Sequence, residues 1–442
     1  MKRGLSLSAA VSLVAGSMIG TGIFLKTATM TQLLGSPMSV LLAWGLAGFL
    51  SLAGAFVYAE IGGQFPNAGG EYIYLREGYG PLAGFLFGWC RFWIGSPGSV
   101  AAYGVGAATF LSAVAPLSAE ARTVTAIALV WFFVLNNCLK VAWGGRIQSA
   151  LTALKVGLIV AIAGGVFFWG EHRGALVGVE MARNGASAMG TAMVSALWAF
   201  DGWNNLPMAS GEVIDPQKNI PRALIIGSVL VFIVYGLINV AYFLALPIDE
   251  IAGANSSLHP SSPPVAALAL RSFLGSSGAT FLSALFVVSA LGAMNGSILT
   301  GARVPYAMAK DGLFFRHLSH LHPITCVPVK AILIQGVTAS VLAASGTFDQ
   351  LTDCVVFTSW IFYFLVALSI FRLRNRRGGE AGFRAPFYPV LPGLFSMAAL
   401  VLLINTVVSD PRSTAYGLIF VVLGIPAYRF FAQREGGPSR TA

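Results

Sequence analysis

Gly16-Ser17-Met18-Ile19-Gly20-Thr21-Gly22-Ile23-Phe24 stands in the middle of an apolar run covering residues 7–34. Three glycines and two hydroxyls at that depth argue against an unbroken helix, since each glycine costs about 1 kcal/mol relative to alanine in a helix interior. A second stretch, Trp198-Ala199-Phe200-Asp201-Gly202-Trp203-Asn204-Asn205-Leu206-Pro207, sets a carboxylate, two amides, a glycine and a proline inside another such run, residues 187–212. Non-helical backbone at membrane depth is tolerated only when it is buried in protein or lines a wet cavity. Both stretches are therefore expected to wall a site.

The rest of the chain supplies the membrane. Of its 442 residues 56% are hydrophobic and 10% charged, with mean hydropathy +0.76, against roughly a quarter charged in a soluble domain. Breaking the apolar stretches at polar, Gly or Pro clusters gives runs at 7–34, 37–64, 81–115, 122–140, 146–170, 187–212, 222–246, 274–310, 328–345, 350–373, 389–408 and 413–431. Most are long enough for a helix to cross a ~30 Å hydrocarbon core. The sequence is expected to be one all-α polytopic membrane domain over 1–442, its first helix uncleaved, surrounded by lipid and with no second soluble unit. The net charge of +10 is explained by topology rather than by a nucleic-acid partner. Both termini placed in the cytoplasm, with alternation from there, collect most of the Lys and Arg on the inside, as the positive-inside rule requires. Cys90, Cys138, Cys326 and Cys354 are scattered singly, without metal-ligand spacing, so no metal and no cofactor is expected.

The two interrupted helices lie five spans apart. Residues 7–170 and 187–373 then read as two repeats, each opening on a broken helix, with two extra helices at 389–431. An odd repeat length inverts the second relative to the first, the arrangement of secondary transporters that hold substrate at the midplane between unwound segments.

Such breaks suit a zwitterion. The N–H groups of Gly20, Thr21 and Gly22, with the Thr21 hydroxyl, can receive an α-carboxylate. Carbonyls of Met18, Ile19, Trp198, Ala199 and Asp201 can receive an α-ammonium. The competing reading of the glycines is a close-packing face between helices. Asp201, whose insertion at mid-membrane costs roughly 2.5 to 3.5 kcal/mol, either contacts a cation, carries a proton or caps the second half of its own helix. Lys155 lies nine residues past Arg146, about 13 Å along a helix. It either snorkels or is a fixed internal cation tying helices together where another transporter would bind a metal ion. Ser289, Asn295 and Ser297 read as polar groups between helices. Arg91 is placed near the cytoplasmic end, within snorkelling reach, and is given no role. Trp198 stands at the expected cavity mouth, as a gate or as packing.

Gly20-Thr21-Gly22-Ile23-Phe24, Phe65-Pro66-Asn67-Ala68-Gly69-Gly70-Glu71-Tyr72 and Tyr79-Gly80-Pro81 resemble the amino acid-polyamine-organocation superfamily. Phe200-Asp201-Gly202-Trp203-Asn204, Glu212, Asn219-Ile220-Pro221-Arg222-Ala223, Asn295-Gly296, Arg303 and Asp311-Gly312 are similar to its L-type amino acid transporter family, and bacterial members above all. The resemblance covers nearly the whole chain. It implies the leucine-transporter fold, five plus five inverted helices and two more, and sodium-independent amino acid transport, often by exchange. It assigns substrate contacts to Met18, Ile19, Gly20, Thr21 and Gly22, and carbonyls with a gating aromatic to Trp198, Ala199, Phe200, Asp201 and Gly202. Lys155, beside the hydroxyl of Ser289, takes a sodium position. Animal members join a glycoprotein partner through a cysteine between the third and fourth spans. Residues 115–122 have none, so no disulfide-linked heavy chain is expected.

The expectation is an amino acid transporter of the inner (plasma) membrane working by alternating access. Its rivals are an amine or polyamine antiporter and a proton-coupled amino acid symporter. A membrane enzyme is disfavoured: there is no H-E-x-x-H, no G-x-S-x-G and no paired intramembrane aspartates. Stereospecific, saturable exchange would exclude a channel.

Overall fold

The computed structural model describes residues 1–112, 115–171, 174–176, 185–256, 258–259, 262–275, 277–345, 348–374, 382–409 and 411–434. Of the basic residues that set the expected orientation, Arg173, Arg183, Arg376, Arg377 and Arg440 lie outside them, as does the side chain of Cys354.

Each of the twelve apolar runs is helical. The first is α1 (Leu7–Met18) and α2 (Gly22–Leu34), and the second α3 (Pro37–Gln64). After α4 (Glu71–Tyr79) the third is α5 (Pro81–Cys90), a π-helical turn (Arg91–Gly95) and α6 (Ser96–Ser112). Then come α7 (Ala119–Asn137), α8 (Val141–Trp169), the divided pair α9 (Gly185–Ala199) and α10 (Asn205–Met208), and α11 (Pro216–Ala245). Two short helices, α12 (Ile248–Ala252) and α13 (Val265–Leu274), precede α14 (Ser277–Gly301) and α15 (Arg303–Lys310). The chain ends with α16 (Val329–Ala344), α17 (Phe348–Leu373), α18 (Val390–Ser409) and α19 (Pro411–Arg434). Among the described residues eight helical stretches are long and apolar enough to cross a membrane, and the only β pairing is a single bridge between Leu5 and Val213. This is a polytopic α-helical membrane protein. α4, α12 and α13, too short or too polar to span, correspond to none of the twelve apolar runs.

Local chemistry sets the breaks between helices. The Ser6 hydroxyl accepts from the Ala9 N–H and caps α1. Gly35, at φ 64°, closes α2, and Ser36 with Pro37 opens α3, the residue types these positions favour. α11 packs on α1 and α3, α14 on α6, α8 and α1, and α9 on α2 and α3. The two interrupted helices are therefore enclosed by unbroken ones.

At the end of the divided pair the chain is locked to α15. Arg303 meets Glu212 through two bonds, Nε to Oε2 at 2.9 Å and Nη2 to Oε1 at 3.0 Å, with both side chains buried. The Glu212 carbonyl accepts from the N–H groups of Gly4 and Leu5, so the N-terminal segment joins the same knot. Removing one partner strands a buried charge, at a cost of about 3 to 5 kcal/mol. Arg303→Ala is expected to lower the unfolding temperature of the purified protein markedly, whereas Arg303→Met combined with Glu212→Leu recovers most of the loss. An unchanged unfolding temperature in Arg303→Ala would show that the pair is not structural.

Candidate functional site

The first break is a three-residue interruption, Ile19 to Thr21. α1 ends at Met18, Ile19 turns away from helical ψ (87°), and the Gly20 N–H closes a tight turn on the Met18 carbonyl at 2.8 Å. α2 starts at Gly22 with Thr21 as its cap residue, the hydroxyl uncommitted to capping. The first turn of a helix leaves its N–H groups without intrahelical acceptors, and here Thr21 and Gly22 carry the spare donors. Gly20, one of the expected carboxylate donors, has its N–H engaged within this turn. A Cβ placed on Gly20 would meet nothing nearer than the Met18 carbonyl at 4.0 Å, so this residue borders open space.

The second break covers residues 200–204. Gly202 adopts φ 115°, and a Cβ there would fall 2.8 Å from the Ser17 carbonyl group and 3.1 Å from the Met18 nitrogen. Only glycine permits both the dihedral and the approach. The second break thus touches the last turn of α1, next to the first break, backbone to backbone. Above this contact Gly22 faces α9, where a Cβ would lie 2.8 Å from Ala199 Cβ and 2.9 Å from the Trp198 ring. Trp198 is half-buried, with the Lys26 ammonium 4.8 Å from its ring centroid. Phe200 is buried edge-on against Trp44 and tilted against Tyr235. Of the two aromatics, only Trp198 stands at the margin of the site.

The carbonyls are less free than the sequence suggested. Met18 and Ala199 both face the Tyr235 hydroxyl of α11, at 2.9 and 3.0 Å. One phenolic proton cannot satisfy two acceptors, so this pair keeps capacity for a further donor. The same helix holds the far side of the break, where Thr27 donates to Asn239 Oδ1 at 2.6 Å. Tyr235 and Asn239 lay in an apolar run without any motif, and no sequence signal marked them.

Lys155 takes the Ile19 carbonyl. It is fully buried, and its Nζ reaches the carbonyls of Gly16 (2.7 Å), Ile19 (2.8 Å) and Ser289 (3.2 Å). Three acceptors match the three donors of an ammonium. Lys155 does not snorkel; it joins α8 to the broken end of α1 and to α14. Ser289 meets the lysine through its carbonyl, while its hydroxyl faces the carbonyls of Ile19 (2.9 Å) and Gly20 (3.3 Å). The hydroxyl expected beside Lys155 thus shares the Ile19 carbonyl with it. Asn295 donates to Gln148 and accepts from Asn137, both at 2.9 Å, the interhelical role the sequence gave it.

Asp201 does not cap α10, whose cap residue is Asn204 without a side-chain bond. Its Oδ1 accepts from the Tyr363 hydroxyl of α17 at 2.8 Å. Arg91, given no role from sequence, is not at an interface either. The π-helical turn brings it inward, 7% exposed, with Nη2 donating to Asn205 Oδ1 at 2.6 Å. Single π turns recur at functional sites, and nothing in the local sequence announces one.

The family model for amino acid permeases matches residues 5–428. The chain belongs to the amino acid permease family. It is 32% identical over 440 residues to the serine/threonine exchanger SteT of Bacillus subtilis (strain 168), covering 98% of each chain. It is 28% identical to the b(0,+)-type amino acid transporter 1 of Mus musculus over 99% of this chain and 89% of that one. With the human cystine/glutamate transporter the identity is 29%, over 98% and 85%. Family and relatives are transporters, not enzymes, and place this permease in the amino acid-polyamine-organocation superfamily. Among the described residues Cys90, Cys138 and Cys326 are free.

Proposed function

We propose that this permease is a sodium-independent amino acid exchanger of the inner (plasma) membrane, working by alternating access in a leucine-transporter fold with both termini cytoplasmic. The observation that carries the reading is the close approach of the second break, at Gly202, to the end of α1, at Ser17 and Met18, where the first break begins. The Thr21 and Gly22 N–H groups and the Thr21 hydroxyl take the substrate carboxylate. The carbonyls of Met18, Trp198, Ala199 and Asp201 take its ammonium, Trp198 covers the site, and Lys155 stands in for sodium.

The packing supports two five-helix repeats, 7–170 and 187–373. α1 packs on α11 as α9 packs on α3, and α16 packs on α6 as α7 packs on α14. α8 meets α14 as α17 meets α6, while α3 with α11, α6 with α14 and α7 with α16 are each self-related pairs. A two-fold exchange of halves turns every one of these contacts into another.

The test is counterflow in liposomes loaded with one amino acid at a time, serine and threonine first. The expected result is stereospecific exchange, indifferent to replacing sodium by choline. Uptake driven by a sodium gradient would overturn the reading, and competition by amines that lack a carboxylate would overturn it in favour of the antiporter alternative. Single cysteines at Arg376 and Ser256, in a background without native cysteines, are expected to label from opposite faces; labelling from one face would overturn the orientation.

A further inference from the structure

Buried glutamates meet arginines in three places. Glu212 is closed on Arg303, and Glu60 on Arg374 at 3.1 Å. The third place is open. Glu71 of α4 is fully buried, and its Oε1 accepts from the Tyr58 hydroxyl at 2.8 Å and from Asn204 Nδ2 at 3.3 Å, with Oε2 3.4 Å from the same amide nitrogen. No cation among the described residues stands within ion-pair distance of it. Arg91 is near enough to act electrostatically on both Glu71 and Asp201, yet its hydrogen bond goes to Asn205, and its Nε is buried without a partner. Two carboxylates therefore share one guanidinium, and one negative charge is left over in a water-poor interior, a state that a proton relieves.

The partners of Glu71 can serve either form. An ionised carboxylate takes donors from Tyr58 and Asn204. A neutral one keeps the Tyr58 bond and donates its own O–H to Asn204 Oδ1 once that amide turns over. Asn204 also ends the unwound stretch that starts one residue after Ala199 and contains Asp201. A change at Glu71 is thus felt three residues from the substrate site.

We propose that Glu71 is a proton-binding residue, and that Asn204 passes its protonation state to the unwound part of the divided helix. This rests on the transport reading above. The groups facing Glu71 are Tyr58 from α3, Tyr74 from its own helix, Arg91 from the π turn, Tyr363 from α17, and Asp201 with Asn204 from the break. The neutral carboxyl is the form that stays buried without a cation while the bundle rocks, so transport is fastest with the proton bound and is lost as pH rises through the Glu71 titration.

The experiment is counterflow by the full chain in liposomes, buffered equally on both sides and stepped from about pH 6 to about pH 8.5. Wild-type exchange is expected to fall severalfold across that range. Glu71→Gln, a permanently neutral isostere, keeps the low-pH rate throughout. Tyr58→Phe removes a donor to the ionised form and moves the midpoint upward by about one pH unit, which keeps the proposal testable if Glu71→Gln does not fold. A flat wild-type profile, a slope that survives in Glu71→Gln, or an unshifted midpoint in Tyr58→Phe overturns the proposal while leaving exchange itself intact. Absence of counterflow at every pH overturns the transport reading and this proposal with it.

Discussion

Gly22→Leu is expected to abolish counterflow while the protein still reaches the membrane. From sequence alone the reason is that a side chain would fill the space where backbone donors approach the carboxylate. The structure makes the effect larger. A Cβ at Gly22 already falls 2.8 Å from Ala199 Cβ and 3.0 Å from its Cα, so a leucine must push α2 away from α9, and backbone cannot yield as a flexible side-chain tip can. The cost falls on the junction of the two broken helices, which most of the helices packed around it do not share. Transport is expected to drop below detection, with folded protein, followed by size-exclusion chromatography of a fluorescent fusion, falling only modestly. Substrate binding unchanged in Gly22→Leu would move the site elsewhere.

Lys155→Ala has the second large effect. Its ammonium gives one donor to each of three carbonyls, two at the end of α1 and one in α14, which lie 139, 136 and 134 residues from it in sequence, and hydrogen bonds to a charged group contribute about 1.5 to 3 kcal/mol each. The alanine leaves the Gly16 and Ser289 carbonyls without that donor and frees α1 from α8 and α14. The transport rate is expected to fall by about a hundredfold or more, with the protein still inserted. Lys155→Arg is not expected to rescue it: a Cβ on Gly292 would lie 3.0 Å from both Lys155 Cε and Nζ, so the pocket around the amine is already closed to a wider guanidinium. Full activity in Lys155→Ala, or sodium-stimulated uptake by the wild type, would sink the idea that the lysine replaces sodium.

What the sequence determined by itself is what is written locally along the chain. Hydropathy marks where helices run, and Gly16 to Gly22 and Trp198 to Pro207 mark where two of them fail, because glycine, proline and polar groups weaken a helix whatever surrounds it. The depth of Lys155 follows from counting residues from Arg146. What only the tertiary structure decided is which polar groups are spent. Ile19 has its carbonyl taken by Lys155 and Ser289, Met18 and Ala199 share the Tyr235 hydroxyl, and Asp201 turns to Tyr363 instead of capping α10. Arg91 is drawn inward by one π turn to donate to Asn205 beside the second break. A hydrogen bond is a competition among every donor and acceptor within about 3 Å, and at this site the competitors come from α8, α11, α14 and α17, hundreds of residues apart. No local pattern carries that information.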